Sequence, residues 1–140
     1  MTEQICEKLT YNGKEYDIHN EPLYPYLIRN YPTNLFGPNN NTMQTDCGRG
    51  YVGEWVIEND KLYLVKLEVV PFDCDDHDGM SRLFPGQEKV FAEWFSDHIA
   101  IVDDDLVEFH SNVGKRFHPM VFLNFTDGCL VGKQETGWYV

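Results

Sequence analysis

Hydrophobic and polar positions alternate from the start of the chain. Ile5, Leu9 and Tyr11 occupy odd positions, Asn12-Gly13 follows, and Lys14-Glu15-Tyr16-Asp17-Ile18 comes next. Period-two alternation on either side of Asn-Gly predicts a β-hairpin, because Asn and Gly tolerate the left-handed conformation a two-residue turn requires. Tyr51 to Ile57 and Leu62 to Val70 repeat the pattern across Glu58-Asn59-Asp60-Lys61. There Tyr51, Trp55 and Ile57 fall on one face, and Tyr63, Val65, Leu67 and Val69 on one face of the second strand. Val52, Val56, Leu62 and Leu64 make the opposite faces apolar as well, which places this hairpin centrally in a sheet.

Residues 19–50 read differently. Pro22, Pro25, Pro32, Pro38 and the run Asn39-Asn40-Asn41 interrupt any long element. Tyr26-Leu27-Ile28-Arg29 has room for one helical turn, and residues 32–50 read as a long loop. Pro71 to Pro85 is an acidic, turn-rich connection. In Gln87 to His98, Val90, Phe91, Trp94 and Phe95 form a stripe that fits a short helix, the reading preferred here, and also fits a two-sided buried strand. Ile99–Val102 and Leu106–His110 flank Asp103-Asp104-Asp105 as a hairpin-like turn; Met120–Phe125 and Cys129–Val131 flank Thr126-Asp127-Gly128 as another. Trp138-Tyr139 is expected to dock back on the sheet, the alternative being an exposed aromatic contact. The fold class is therefore mainly β (α+β): an antiparallel meander, barrel-like or two-layered, with one or two short helices, in a single domain over residues 1–140.

The blocks Arg49-Gly50-Tyr51 with Trp55-Val56-Ile57, Leu62-Tyr63-Leu64, Leu83-Phe84-Pro85-Gly86 and Val90-Phe91-Ala92-Glu93-Trp94-Phe95 resemble a group of small bacterial proteins with no assigned activity. The resemblance covers roughly residues 49–95. It departs at Gly48, where relatives carry an aromatic residue before R-G-Y. It implies a bacterial source and carries over no catalytic residue.

Composition narrows the function classes. The chain has 140 residues, 42% of them hydrophobic and 14% aromatic, which suffices for one core. Residues 1–10 contain no cationic start followed by an apolar run, and no apolar run approaches the ~20 residues of a membrane helix. Cys6, Cys47, Cys74 and Cys129 are widely spaced, consistent with reduced thiols. A cytoplasmic protein without membrane attachment is expected. The net charge is −12, and residues 73–105 alone carry ten acids against Arg82 and Lys89. Such a field repels phosphate backbones and anionic lipid and attracts a basic protein, so nucleic-acid binding is not expected.

Asp73-Cys74-Asp75-Asp76-His77-Asp78-Gly79 clusters carboxylates as a cation loop does. Aligning Gly79 with the sharp turn of a calcium hand puts Cys74 first and Pro85 twelfth, where oxygen donors belong, so that motif is rejected. A zinc site using Cys74, His77 and a distant histidine lacks the usual paired spacing, and a solvated acidic turn is the default. The histidines at 19, 77, 98, 110 and 118 form no H-x-x-x-H or H-x-H pair; the serines at 81, 96 and 111 lie outside any G-x-S-x-G; Gly114-Lys115-Arg116 is not a phosphate loop. No catalytic, cofactor-binding or metal residues are assigned, and no cofactor is expected. The reading is a non-enzymatic protein-binding module, conceivably an immunity-type antitoxin of a bacterial toxin. Its candidate surface for a basic protein is Asp73, Asp75, Asp76, Asp78, Asp103, Asp104 and Asp105. The alternative is a small-molecule-binding or enzymatic β-barrel with its site near Trp55, Tyr63 or the 32–50 loop.

Overall fold

The computed structural model describes residues 6–30, 51–69, 79–102 and 107–140. Nine strands among them join one mixed sheet: β1 (Glu7–Tyr11), β2 (Lys14–Ile18), β3 (Tyr51–Glu58), β4 (Lys61–Val69), β5 (Val90–Phe91), β6 (His98–Val102), β7 (Glu108–His110), β8 (Lys115–Thr126) and β9 (Cys129–Tyr139). Helix α1 (Tyr24–Asn30) and the single turn α2 (Gly79–Leu83) are the helices. The strand order is β2-β1-β3-β4-β9-β8-β6, with β5 on β4 and β7 on β8.

Turn chemistry sets three of the hairpins. Asn12 and Gly13 (φ 52° and 78°), Asn59 and Asp60 (52° and 59°), and Asp127 and Gly128 (50° and 79°) each place two left-handed residues in a two-residue turn. That is the type I′ geometry, whose twist matches the strands it joins. The Tyr51–Val69 hairpin is central, as its two apolar faces require. Its expected face assignment changes midway. Glu54 opposes Lys66 but Trp55 opposes Leu64, so Val65 is an extra residue. The bulge turns Val65 outward and lets Leu62, Leu64 and Leu67 all enter the core, while Tyr63 faces out under Phe91.

The ladders are antiparallel except one. β1 runs parallel to β3, Leu9 beside Trp55, so the sheet is mixed rather than a pure meander. Parallel neighbours need a long connection, and β2, α1 and residues 31–50 lie between β1 and β3 in sequence. Pro25 falls in the first turn of α1, where its missing N–H is tolerated, and the Asn30 amide donates to the Tyr26 carbonyl at the other end (2.9 Å).

Gln87 to His98 is not a helix. Ala92 N–H donates to Leu62 O (2.9 Å) and Gly128 N–H to Phe95 O (2.8 Å). These long-range bonds hold Val90–Phe91 as a short strand followed by a tight turn, and they outweigh a local stripe that fitted either structure. The Asp103–Asp105 hairpin is also corrected. β6 and β7 do not pair with each other; both lie along the same edge of β8, Val102 opposite Met120 and Glu108 opposite Phe117. Pro119 lies between the two ladders and its absent N–H faces that edge, so β8 has no donor to offer there. The hairpin is instead β7–β8, closed through Ser111-Asn112-Val113-Gly114, with Gly114 N–H on His110 O (2.9 Å) and Gly114 at φ 69°.

One apolar cluster includes Leu9, Ile18, Trp55, Leu64, Ile99 and Leu123, all essentially inaccessible. Tyr26 of α1, Phe84 after α2 and Trp94 pack as a ring cluster beside it (Tyr26–Trp94 centroids 4.8 Å), and Trp94 Nε1 donates to Pro22 O (2.8 Å). Among the described residues the core contains one carboxyl, Glu7, at 1% exposure. Its Oε2 accepts from Gly53 N (2.6 Å) and its Oε1 from Trp55 Nε1 (3.1 Å). A Cβ on residue 53 would stand 2.8 Å from Oε1, so glycine is what lets the carboxyl reach the backbone.

The sheet curls until its end strands, β2 and β6, approach, but no ladder joins them, and the barrel is not closed. Asn20 bridges the seam. Its side-chain amide donates to His98 O (3.2 Å) and accepts from Ala100 N (3.1 Å), as a neighbouring strand would. Replacing Asn20 by Ala removes both bonds from a partly exposed site, an expected loss of about 1–2 kcal/mol. Hydrogen exchange reads this locally: the Ala100 amide should lose protection while Ile99 and Ile101, bonded to β8, keep theirs.

Candidate binding face on the β7–β8–β9 ribbon

The seven aspartates of the expected acidic surface lie outside the described residues, as does the 32–50 loop. The described residues Val102 and Glu108 join β8 on either side of Pro119. Trp55 is a core residue at 1% exposure, tied to Glu7. Tyr63 is half-buried on the outside of the sheet, with Lys89 Nζ 4.3 Å from its ring centre. The two therefore do not share a cavity. Among the described residues no three His, Cys, Asp or Glu side chains come together as metal ligands, and no helix is long and apolar enough to cross a membrane.

Two places in the structure present groups that a ligand or partner could meet. The first is the β2–β6 seam, an open groove of about 480 Å³ whose walls include Glu15, Asp17, His19 and Asn20 on one side and Ala100 and Val102 on the other. Asp17 pairs with Lys8 across the hairpin, and this hydrogen bond holds the lysine's pKa above its ordinary value. At the groove's end the Cys6 thiol approaches His19, Sγ lying 3.6 Å from Nδ1 and 4.0 Å from Nε2. Near-equal distances put the sulfur beside the ring rather than in line with one nitrogen, the alignment that proton transfer between them requires. The pair is not singled out in the sequence, although the hairpin register implies it. In a hairpin turning at Asn12-Gly13, Glu7 opposes Ile18, and the next step outward sets Cys6 opposite His19.

The second place is the ribbon made by β7, β8 and β9. Leu123, Phe125 and Val121 anchor β8 in or against the core. Lys115–Met120 run on past it, roughly 20 Å of strand at ~3.3 Å per residue. Each face carries its own aromatic cluster. On the inner face, His110 Nδ1 and the Tyr139 hydroxyl share a hydrogen bond (3.0 Å), His110 stacks on Phe117 (5.4 Å), and Phe117 meets Tyr139 (5.1 Å). Phe117 lies across Gly137, where a Cβ would be 2.4 Å from the ring. This packing rigidifies a strip that the core does not support.

On the outer face, His118 and Trp138 stack almost parallel (5.3 Å, 9°), and His98 meets Phe122 edge-on (5.1 Å). Phe109 and Val140 flank this row on the same face, as their register opposite and beside Arg116 requires. Phe109 is 64% exposed, Val140 69% and Trp138 38%. The Trp138-Tyr139 tail thus docks as the end of β9, yet its indole is held flat against solvent. Sequence reasoning missed this face because β7 had been paired with the wrong strand. The signal was Ser-Asn-Val-Gly at 111–114, a turn with strands on both sides.

Comparison of the chain with protein-family models, with curated proteins and with solved structures finds no match.

Proposed function

We propose that this protein is a non-enzymatic protein-binding module that receives a basic partner on the outer face of the β7–β8–β9 ribbon. The observation that carries the reading is the row of exposed Phe109, Trp138 and Val140 with half-buried His118, set on a strip stiffened from behind by the His110–Phe117–Tyr139 cluster. Solvent-exposed apolar rows on rigid strands mark contact surfaces, and tryptophan is among the residues that most often dominate their energy. The row itself includes Arg116 and two histidines, so contact there is apolar and aromatic. The net charge of −12 acts at longer range, drawing a cationic partner in and raising its association rate.

The specific form of this reading is an immunity-type antitoxin of the bacterial cytoplasm that covers a basic toxin or nuclease. The aspartates at 73, 75, 76, 78, 103, 104 and 105 are its steering surface. The test compares tagged wild-type protein with the variant Phe109→Ser/Trp138→Ala in capture from the native host, eluted at low and high salt. The reading requires one stoichiometric basic partner on the wild type, lost from a variant whose circular dichroism is unchanged. Truncating a central aromatic anchor typically weakens binding by about 2 kcal/mol or more, some thirtyfold. Reversing Asp103, Asp104 and Asp105 to lysine should slow association and flatten its salt dependence. Equal capture by wild type and the double variant would remove the ribbon from the account.

A further inference from the structure

Among the described residues β9 is laddered along its length on one side only. β8 covers it from Cys129 to Tyr139, but on its other side the described residues offer just the Lys61–Cys129 bridge and the bond from Leu130 N to Asp60 O (2.7 Å). Arg116 and Val140 exchange both of their backbone bonds (3.0 and 2.9 Å). Alternation along an antiparallel ladder then turns the N–H and C=O of Trp138, Thr136, Gln134 and Gly132 toward β8. Those of Lys133, Glu135, Gly137 and Tyr139 point away, to a side where no described strand pairs with them. An edge of this kind is a template for another strand.

The side chains along the edge select which strand. For a second copy running antiparallel about a two-fold axis, only one centre matches charge. Centred on Glu135, two carboxylates oppose each other; centred on Lys133, two ammonium groups do; centred on Thr136, Lys133 faces tyrosine and Glu135 faces glycine. Centred on Gln134, Lys133 of each copy stands opposite Glu135 of the other, twice by symmetry. That same centre makes Lys133 and Glu135 of the second copy a hydrogen-bonded pair, both with outward backbone groups. Gln134 then meets its own copy at a non-hydrogen-bonded position, where the amide side chains can pair. Backbone direction and side-chain charge, two independent properties, agree on one register.

We infer that β9 is a self-complementary edge through which two copies of this chain join antiparallel about Gln134. Lys133 already donates to the Tyr11 hydroxyl, which raises its pKa, and lies over that ring (5.2 Å). An ammonium has three donors, so a carboxylate from the second copy adds to this contact without displacing it. Four backbone hydrogen bonds and two ion pairs make a modest interface, so association is concentration-dependent. This inference concerns the edge of the ribbon and is independent of the partner proposed for its face.

The experiment is sedimentation equilibrium on the full chain from roughly 10 μM to 1 mM at low salt, with charge variants and a cross-link. The wild type should dimerise. Lys133→Glu and Glu135→Lys each replace two attractive cross-strand pairs by two repulsive ones and should weaken dimerisation at least tenfold, by analogy with measured cross-strand pairs. Mixing those two variants restores both attractive pairs, so the mixture should form heterodimers where neither variant self-associates. Gln134→Cys should oxidise to a disulfide-linked dimer faster than Thr136→Cys, because Cα atoms of a non-hydrogen-bonded pair lie ~4.5 Å apart, within disulfide reach. A wild type that is monomeric throughout overturns the inference. So does a dimer indifferent to both charge variants, or equal cross-linking at 134 and 136.

Discussion

Glu7→Ala is expected to destabilise the protein by about 3–4 kcal/mol, more than any other substitution of a charged residue described. The carboxyl is 1% exposed and accepts from the Gly53 backbone and the Trp55 indole, so its removal strands two buried donors and leaves a void between β1 and β3. An unsatisfied buried donor costs about 1–3 kcal/mol, and the void adds to it. The site is also where the single parallel ladder of the sheet is joined. β1 reaches β3 over three residue pairs, and Glu7 lies at the start of that contact. Urea unfolding by circular dichroism checks the value. Glu7→Gln keeps the shape but turns one N–H against another, so it should lie between wild type and alanine. A midpoint unchanged in Glu7→Ala would mean that the two donors find water and that the carboxyl does not organise the β1–β3 junction.

Gly128→Ala and Gly13→Ala should differ sharply although both glycines occupy the second place of a type I′ turn, with φ of 79° and 78°. At Gly13 a Cβ meets nothing within 4 Å, so the cost is the left-handed backbone alone, about 1 kcal/mol. At Gly128 the same Cβ would lie 2.4 Å from the Ala92 carbonyl oxygen and 2.9 Å from the Phe91 ring. Those atoms are fixed from both sides. Gly128 N–H donates to Phe95 O, Gly128 O accepts from Leu62 N, and Ala92 N–H donates to Leu62 O. Backbone against backbone cannot yield as a side chain does, and a further 1–3 kcal/mol of overpacking follows. Thermal melts of the two variants side by side separate the terms. If both fall by the same amount, the 90–95 segment does not rest on the β8–β9 turn as described.

These two positions also show which parts of the fold the sequence discloses. Asn12-Gly13 and Asp127-Gly128 announce their hairpins because the chemistry of a two-residue turn is local. The parallel contact between β1 and β3 is not local; its pairs lie some forty-six residues apart, and no periodicity encodes them. Val90, Phe91, Trp94 and Phe95 satisfy helix and strand spacing equally, and the decision comes from Leu62 and Gly128, far away in sequence. Pro119 was visible throughout, but its role emerges only once β6 and β7 are seen to share one edge of β8. The binding face had the same fate. Phe109 and His118 are ordinary aromatics in the sequence and Trp138 stands out only as part of the Trp138-Tyr139 pair; only the β7–β8–β9 register lines them up. Cys6 and His19 were not singled out in the sequence either, although the register of the Asn12-Gly13 hairpin sets them opposite each other.

The central claim is that a partner binds the outer face of the ribbon, and the three indole N–H signals of the protein report on it directly. Trp55 Nε1 is held by Glu7 inside the core, Trp94 Nε1 by the Pro22 carbonyl, and Trp138 stacks exposed on His118. Titrating the purified captured partner into ¹⁵N-labelled protein should shift or broaden the Trp138 indole resonance first and most, leaving Trp55 in place. A complex that forms while the Trp138 signal stays where it was would contradict the account.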